Sequence, residues 1–134
     1  MRTNLDPARL LPSDSTVRAI AEELYASVAG LPIISPHGHV DPSLLVENKP
    51  FANPAELFIF FDHYVTRLLH SEGYGLENFG KSEAGSNADP RKAWNILCSN
   101  WHLLLGTSSG YWLTHEFATL FGIDEAPSAE NAER

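Results

Sequence analysis

Between two stretches of helical periodicity the chain carries one short apolar run, Pro32 to Ser35, and no second run that reads as a convincing strand. This constrains the fold most, because a lone strand cannot pair its own backbone N–H and C=O groups and needs neighbours in a sheet. The run closes on Pro36-His37-Gly38-His39-Val40-Asp41-Pro42. Side chains at i and i+2 of a strand share a face, so His37 and His39 would offer two imidazoles that can share one metal ion. Gly38 allows backbone or ligand to approach closely, and Asp41-Pro42 turns the chain away. A buried strand near 32–36 is expected, paired with strands supplied beyond Arg134, as the front end of something longer.

The remainder reads as helix. Pro12-Ser13-Asp14-Ser15 is a start signal, and Val17, Ile20, Ala21, Leu24 and Val28 recur at helical spacing up to Gly30. Ser43 to Glu47 is expected to form a short helical turn before Lys49-Pro50. Asn53-Pro54 pairs an N-cap with proline at the first helical position and opens a helix predicted over 54–72. Its middle, Leu57 to Tyr64, is apolar nearly all round and calls for burial on more than one face. Residues 73–88 read as a mobile surface loop with a turn near Leu76–Phe79. Asp89-Pro90 opens another helix running to Gly106, and Ser108-Ser109 a third running to Gly122. In the acidic tail, Asp124 to Arg134, Pro127-Ser128 is the start of a further helix that is not completed.

Composition limits the partners. Of 134 residues 43% are hydrophobic and 19% charged, a globular balance, and the formal net charge of -8 disfavours nucleic-acid or anionic-membrane surfaces. Apolar runs fall short of the roughly 18 residues that span a bilayer. The first twenty residues hold Asp6, Asp14 and two prolines rather than a signal-peptide core. The acidic balance points to a small soluble ligand instead, and the single Cys98, which has no internal disulfide partner, reads as a core thiol and fits a cytoplasmic location.

Two groups of residues are candidates for chemistry. The His37/His39 pair stands where α/β barrels place active-site groups, at the carboxyl end of a strand; otherwise these are two polar loop histidines. Two ligands do not complete a zinc site, which takes three protein ligands and an open position, and His63 is the nearby candidate for another. The second group is Asp62-His63-Tyr64 with Arg67, which is four residues on from His63 and shares its helical face. A cation, an imidazole and a phenol suit an acidic, hydroxylated ligand: Arg67 for a carboxylate, His63 or Tyr64 for hydroxyls or proton transfer. The alternative is that Arg67 pairs with Asp62 or Glu72 while Tyr64 packs in the core. His70, His102 and His115 read as core or surface histidines, and Trp94, Trp101 and Trp112 as packing.

Taken together and in order, the His-x-His segment, Pro50-Phe51, Asp62-His63-Tyr64-Val65-Thr66-Arg67, Trp112-Leu113-Thr114-His115 and Phe121-Gly122-Ile123 resemble the amino-terminal part of the uronate (glucuronate) isomerase family. That family belongs to the amidohydrolase superfamily of metal-binding (β/α)8 barrels. The resemblance covers most of 20–123. It implies an α/β fold class: an amino-terminal fragment of a metal-dependent (β/α)8 barrel, mostly α-helical, with one short barrel strand near 32–36. Residues 1–46 would hold the leading helix and that strand, 47–123 an inserted helical region, and 124–134 the acidic tail or the start of a further helix.

The implied activity is an aldose–ketose isomerisation of D-glucuronate to D-fructuronate, and of D-galacturonate to D-tagaturonate, by proton transfer between C2 and C1. By resemblance, His37 and His39 match the metal pair, with a divalent metal, zinc, as the implied cofactor. His63 and Tyr64 match positions that contact substrate and are the catalytic candidates, and Arg67 matches an arginine of the same motif. The family's carboxylate from the last barrel strand has no counterpart here, and a full barrel takes about 250 residues. The expected partners are a hexuronate and either further copies in a homo-oligomer or the remaining carboxyl-terminal barrel portion. Two other readings are a metal-dependent hydrolase of the same superfamily and a small helical interaction module whose His-x-His is incidental.

Overall fold

Aspartate and asparagine side chains start most of the α-helices in the computed structural model of the chain, which describes residues 5–35, 37–38, 41–80 and 87–134. These residues fall into two compact units, one within Asn4–Gly38 and the other within His39–Arg134.

In the first unit, Asp14 caps helix α1 (Ser15–Val28), its carboxylate accepting the N–H groups of Thr16 and Val17. Val17, Ile20, Leu24 and Val28 line one side of α1, yet each is about half exposed or more and no residue of the helix is buried. Over 32–35 the expected strand does not form. Residues 32–35 are irregular, with Ile33 95% and Ile34 88% exposed. The physical reason is the one that made the run informative: among the described residues no ladder reaches it, and without one an extended segment has nothing to hold it as sheet. Pro36 and His39 lie outside the described residues.

The second unit is helical. Asp41 caps α2 (Pro42–Glu47), the short helical turn expected there, and Asn53 caps α3 (Pro54–Phe58). The Asn53 side chain accepts the N–H of Glu56, and the Glu56 carboxylate reaches back to the N–H of Ala52 at 2.7 Å, a reciprocal arrangement close to a capping box.

The single helix predicted over 54–72 is instead two. Helix α3 ends at Phe58, and α4 (His63–Ser71) restarts from Asp62. Ala55, Phe58, Ile59, Val65 and Leu69 are all buried. In an unbroken helix Asp62, four residues past Phe58 and three past Ile59, would join that face and bury a carboxylate without a partner. The break turns Asp62 into a cap. Phe61 is consequently 62% exposed, so the apolar run is not buried all round.

Beyond α4, a 3-10 turn at Leu76–Phe79 buries Phe79 completely within the expected surface loop; residues 81–86 of that loop lie outside the described residues. Helix α5 (Pro90–Ser99) starts from the Asp89 cap and ends at Ser99 rather than running on to Gly106, giving way to a 3-10 turn at Trp101–Leu104. Here Asn100 Nδ2 donates to the Tyr74 hydroxyl and to the Ile96 carbonyl, which also accepts the Asn100 N–H, so the side chain folds back on the last turn of α5. Helix α6 (Ser108–Leu120) follows from a Thr107 cap.

The core of this unit joins Phe58, Val65, Leu69, Phe79, Leu97, Trp101, Leu104, Leu113 and Phe117. Phe117 is central to it: the Phe58 ring meets it edge-on at 5.1 Å, and Trp101 lies 5.7 Å away. Trp94 is half-buried and bonds the Ala132 carbonyl, which leaves Trp112, 58% exposed, as the one tryptophan that does not pack as expected. The tail after α6 forms turns, not a further helix: the Asn131 N–H bonds the Ser128 carbonyl and the Arg134 N–H that of Asn131.

Candidate active site

The candidate residues of the second unit stand on the first two turns of α4. Asp62 is extended (φ −93°, ψ 101°), and its carboxylate accepts the N–H of Tyr64 at 2.8 Å and of Val65 at 3.3 Å. Val65 and Leu69 anchor the helix in the core, and Thr66, 3% exposed, returns both its N–H and its hydroxyl to the Asp62 carbonyl. The opposite side of the same turns carries His63, Tyr64 and Arg67, all exposed.

These three side chains stack. The imidazole of His63 lies 4.3 Å from the Tyr64 ring, tilted by 31°, and the Arg67 guanidinium sits 5.3 Å from the ring's centroid. Among the described residues no ion pair joins Arg67 to Asp62 or Glu72, and Tyr64 is 49% exposed rather than packed in the core. The arrangement presents an imidazole, a phenol and a cation on one surface, which can meet hydroxyls and a carboxylate of one small ligand.

In the first unit, His37 is exposed, and the Ser35 hydroxyl donates to its carbonyl at 2.7 Å, fixing the backbone just ahead of Gly38. The companion His39 lies outside the described residues. Asp41 accepts from the N–H and hydroxyl of Ser43, and these bonds hold its carboxyl below the usual carboxylate range. Two imidazoles are donors that suit zinc. Among the described residues no group of three or more His, Cys, Asp or Glu side chains gathers to hold a metal ion, and His63 joins no such group.

His70, His102 and His115 are surface residues, and His70 Nδ1 lies 2.9 Å from the Tyr74 carbonyl. Cys98, buried as expected, has its thiol pushed up to about 12 by burial. A cavity of about 780 Å³ lies among α3, α5, α6 and the tail, walled by Trp94, Phe117, Pro54, Pro90 and Ile123. None of His63, Tyr64 and Arg67 lines it, so its position gives no support to it as their site. Sequence reasoning missed the capping role of Asp62, whose signal was available: an acidic residue placed on the apolar face of a continuous helical pattern.

Comparison with known proteins supplies the context. The profile of the family described as glucuronate isomerase, UxaC, matches residues 12–134. The chain is 50% identical over 131 residues to the uronate isomerase of Phenylobacterium zucineum, covering 96% of this chain and 27% of that protein. It is 45% identical over 133 residues to the uronate isomerase of Brucella canis, covering 97% of this chain and 28% of that one. The crystal structure of glucuronate isomerase from Caulobacter crescentus superposes with a TM-score of 0.90 at 43% identity, over 99% of this chain and 28% of that chain. The sequence thus spans a little over a quarter of the length of the relatives it matches. The order of His37-Gly38-His39 and Asp62-His63-Tyr64, the mostly helical fold and these matches have one common reading: the chain belongs to the glucuronate isomerase family.

Proposed function

We propose that this chain supplies part of the active site of a uronate isomerase, interconverting D-glucuronate with D-fructuronate and D-galacturonate with D-tagaturonate. The observation that carries the reading is the exposed His63–Tyr64–Arg67 stack at the start of α4, in a chain of this family. An aldose–ketose isomerisation moves a proton between C2 and C1 through an enediol while O1 and O2 exchange another. Such chemistry needs donors and acceptors fixed at the two oxygens and a cation for the C6 carboxylate. In this reading His63 and Tyr64 bond and exchange protons with the sugar oxygens, and Arg67 faces the carboxylate.

His37 and His39 would hold a divalent metal, zinc, which when bound would orient the sugar or polarise one of its oxygens. The proposal places 1–46 at the first strand of a (β/α)8 barrel and 47–123 in a helical insertion. A carboxylate from elsewhere in that barrel would complete the ligand set and act at C2. The partner would be a hexuronate, met in the cytoplasm, and the assembly either a homo-oligomer or the union of this portion with the rest of the barrel.

A chimaera tests this reading: residues 12–134 of this chain in place of the matching stretch of the Caulobacter crescentus glucuronate isomerase. It is expected to form D-fructuronate from D-glucuronate and to leave D-glucose, which lacks the C6 carboxylate, unchanged. A folded chimaera without isomerase activity would overturn the reading. Hydrolysis of an amide or ester in place of isomerisation would favour the hydrolase reading, and neither activity the interaction module.

A further inference from the structure

We infer that Asp62 is a positioning residue for the isomerisation, setting the place of His63 and Tyr64 without touching the sugar. The inference rests on the reading of α4's first turn as part of the uronate site.

Three observations carry it. The apolar run before Asp62 has no proline or glycine to stop a helix, yet α3 ends at Phe58 and Ile59 leaves the helical region at φ −122°, ψ −57°. What restarts the chain is the Asp62 carboxylate, whose single Oδ1 holds the N–H groups of both Tyr64 and Val65. The residues after the restart divide by function: Val65, Thr66 and Leu69 turn inward, while His63 and Tyr64 face outward with their rings together. An uncapped first turn frays, because its N–H groups lose their acceptor. His63 and Tyr64 are the first two residues of that turn, so fraying displaces both rings while the core anchored by Val65 and Leu69 stays in place.

The role is one of geometry, since a second acceptor of similar reach can replace the carboxylate as a cap. Asp62→Asn and Asp62→Ser should keep the turn, and Asp62→Ala should lose it. The experiment places these three variants in the chimaera described above and measures kcat and KM for D-glucuronate. In parallel, amide exchange at Tyr64 and Val65 is followed in the 134-residue chain.

Asp62→Ala is expected to lower kcat roughly tenfold to a hundredfold, the scale of a small misplacement of reacting groups. Asp62→Asn and Asp62→Ser are expected to stay within about threefold of the parent, as helix caps exchange at small cost. Exchange at Tyr64 and Val65 should quicken in Asp62→Ala alone. The inference is overturned if Asp62→Ala keeps the parental kcat, if Asp62→Asn is as damaged as Asp62→Ala, or if the two amides exchange freely in the parent. Should Asp62→Ala fail to fold, the Asn and Ser variants still decide the matter through kcat. An inactive parental chimaera is a different failure: it removes the functional reading itself.

Discussion

The guanidinium of Arg67 lies over the ring of Tyr64, 5.3 Å from its centroid, one helical turn along α4. A cation over the face of an exposed phenol is worth about 0.5–1 kcal/mol. A double-mutant cycle with Arg67→Ala and Tyr64→Leu in the 134-residue chain should therefore return a coupling of about that size in urea denaturation. A coupling of zero would mean that the two side chains do not hold one another.

At Asp89 the carboxylate accepts the N–H groups of Arg91 and Lys92 and opens α5, whose residues Ala93, Ile96, Leu97 and Cys98 are all buried. Asp89→Ala should cost about 1 kcal/mol and Asp89→Asn much less. Equal losses for both in urea denaturation would show that charge rather than capping is at work.

The approach of α6 to the preceding 3-10 turn is close at Gly110, where an added Cβ would collide with the Leu104 carbonyl. A glycine-to-alanine change usually stabilises a helix, yet Gly110→Ala should destabilise this one by about 1–3 kcal/mol, because the backbone of a well-packed turn must shift. An unchanged or raised melting temperature would contradict the packing described for this turn.

Cys98 is 2% exposed, and burial raises its thiol to about 12 from an ordinary 9.0. A raised folded-state value means that the neutral thiol's contribution is complete below pH 9.0 and is lost as pH rises towards 12. Two results follow. A thiol reagent at pH 8 should label Cys98 slowly until denaturant is added, and Cys98→Ala should show a flatter decline of stability above pH 9.0 than the parent. Fast labelling of the folded chain would place the thiol at the surface.

How much of this was legible beforehand depended on whether a residue's role is local. The caps at Asn53 and Asp89 were readable because proline follows each and fixes the backbone of the first helical position. Asp62 has no proline after it, and the apolar residues before it favour helix, so its one local sign was a carboxylate on the apolar face, which the burial of Phe58 and Ile59 then explains. Asn100 ends α5 by bonds to Ile96 and Tyr74, the second 26 residues away, which no local pattern displays. The run at 32–35 is irregular for a related reason: a strand exists only with its neighbours, and among the described residues no ladder reaches it. For the candidate site, the spacing of His63, Tyr64 and Arg67 foretold a shared face, while the stacking of the three depended on how α4 starts.

In the proposed reading His63 and Tyr64, at the start of α4, act on the uronate itself. This is tested most directly by kcat for D-glucuronate in the chimaera carrying residues 12–134, with Tyr64→Phe and His63→Asn as variants. Loss of a proton-transferring group costs on the order of a hundredfold to ten-thousandfold, and a fall in that range in at least one variant is the predicted result. Values within about threefold of the parental chimaera for both, well short of that range, would contradict the account and place the chemistry elsewhere.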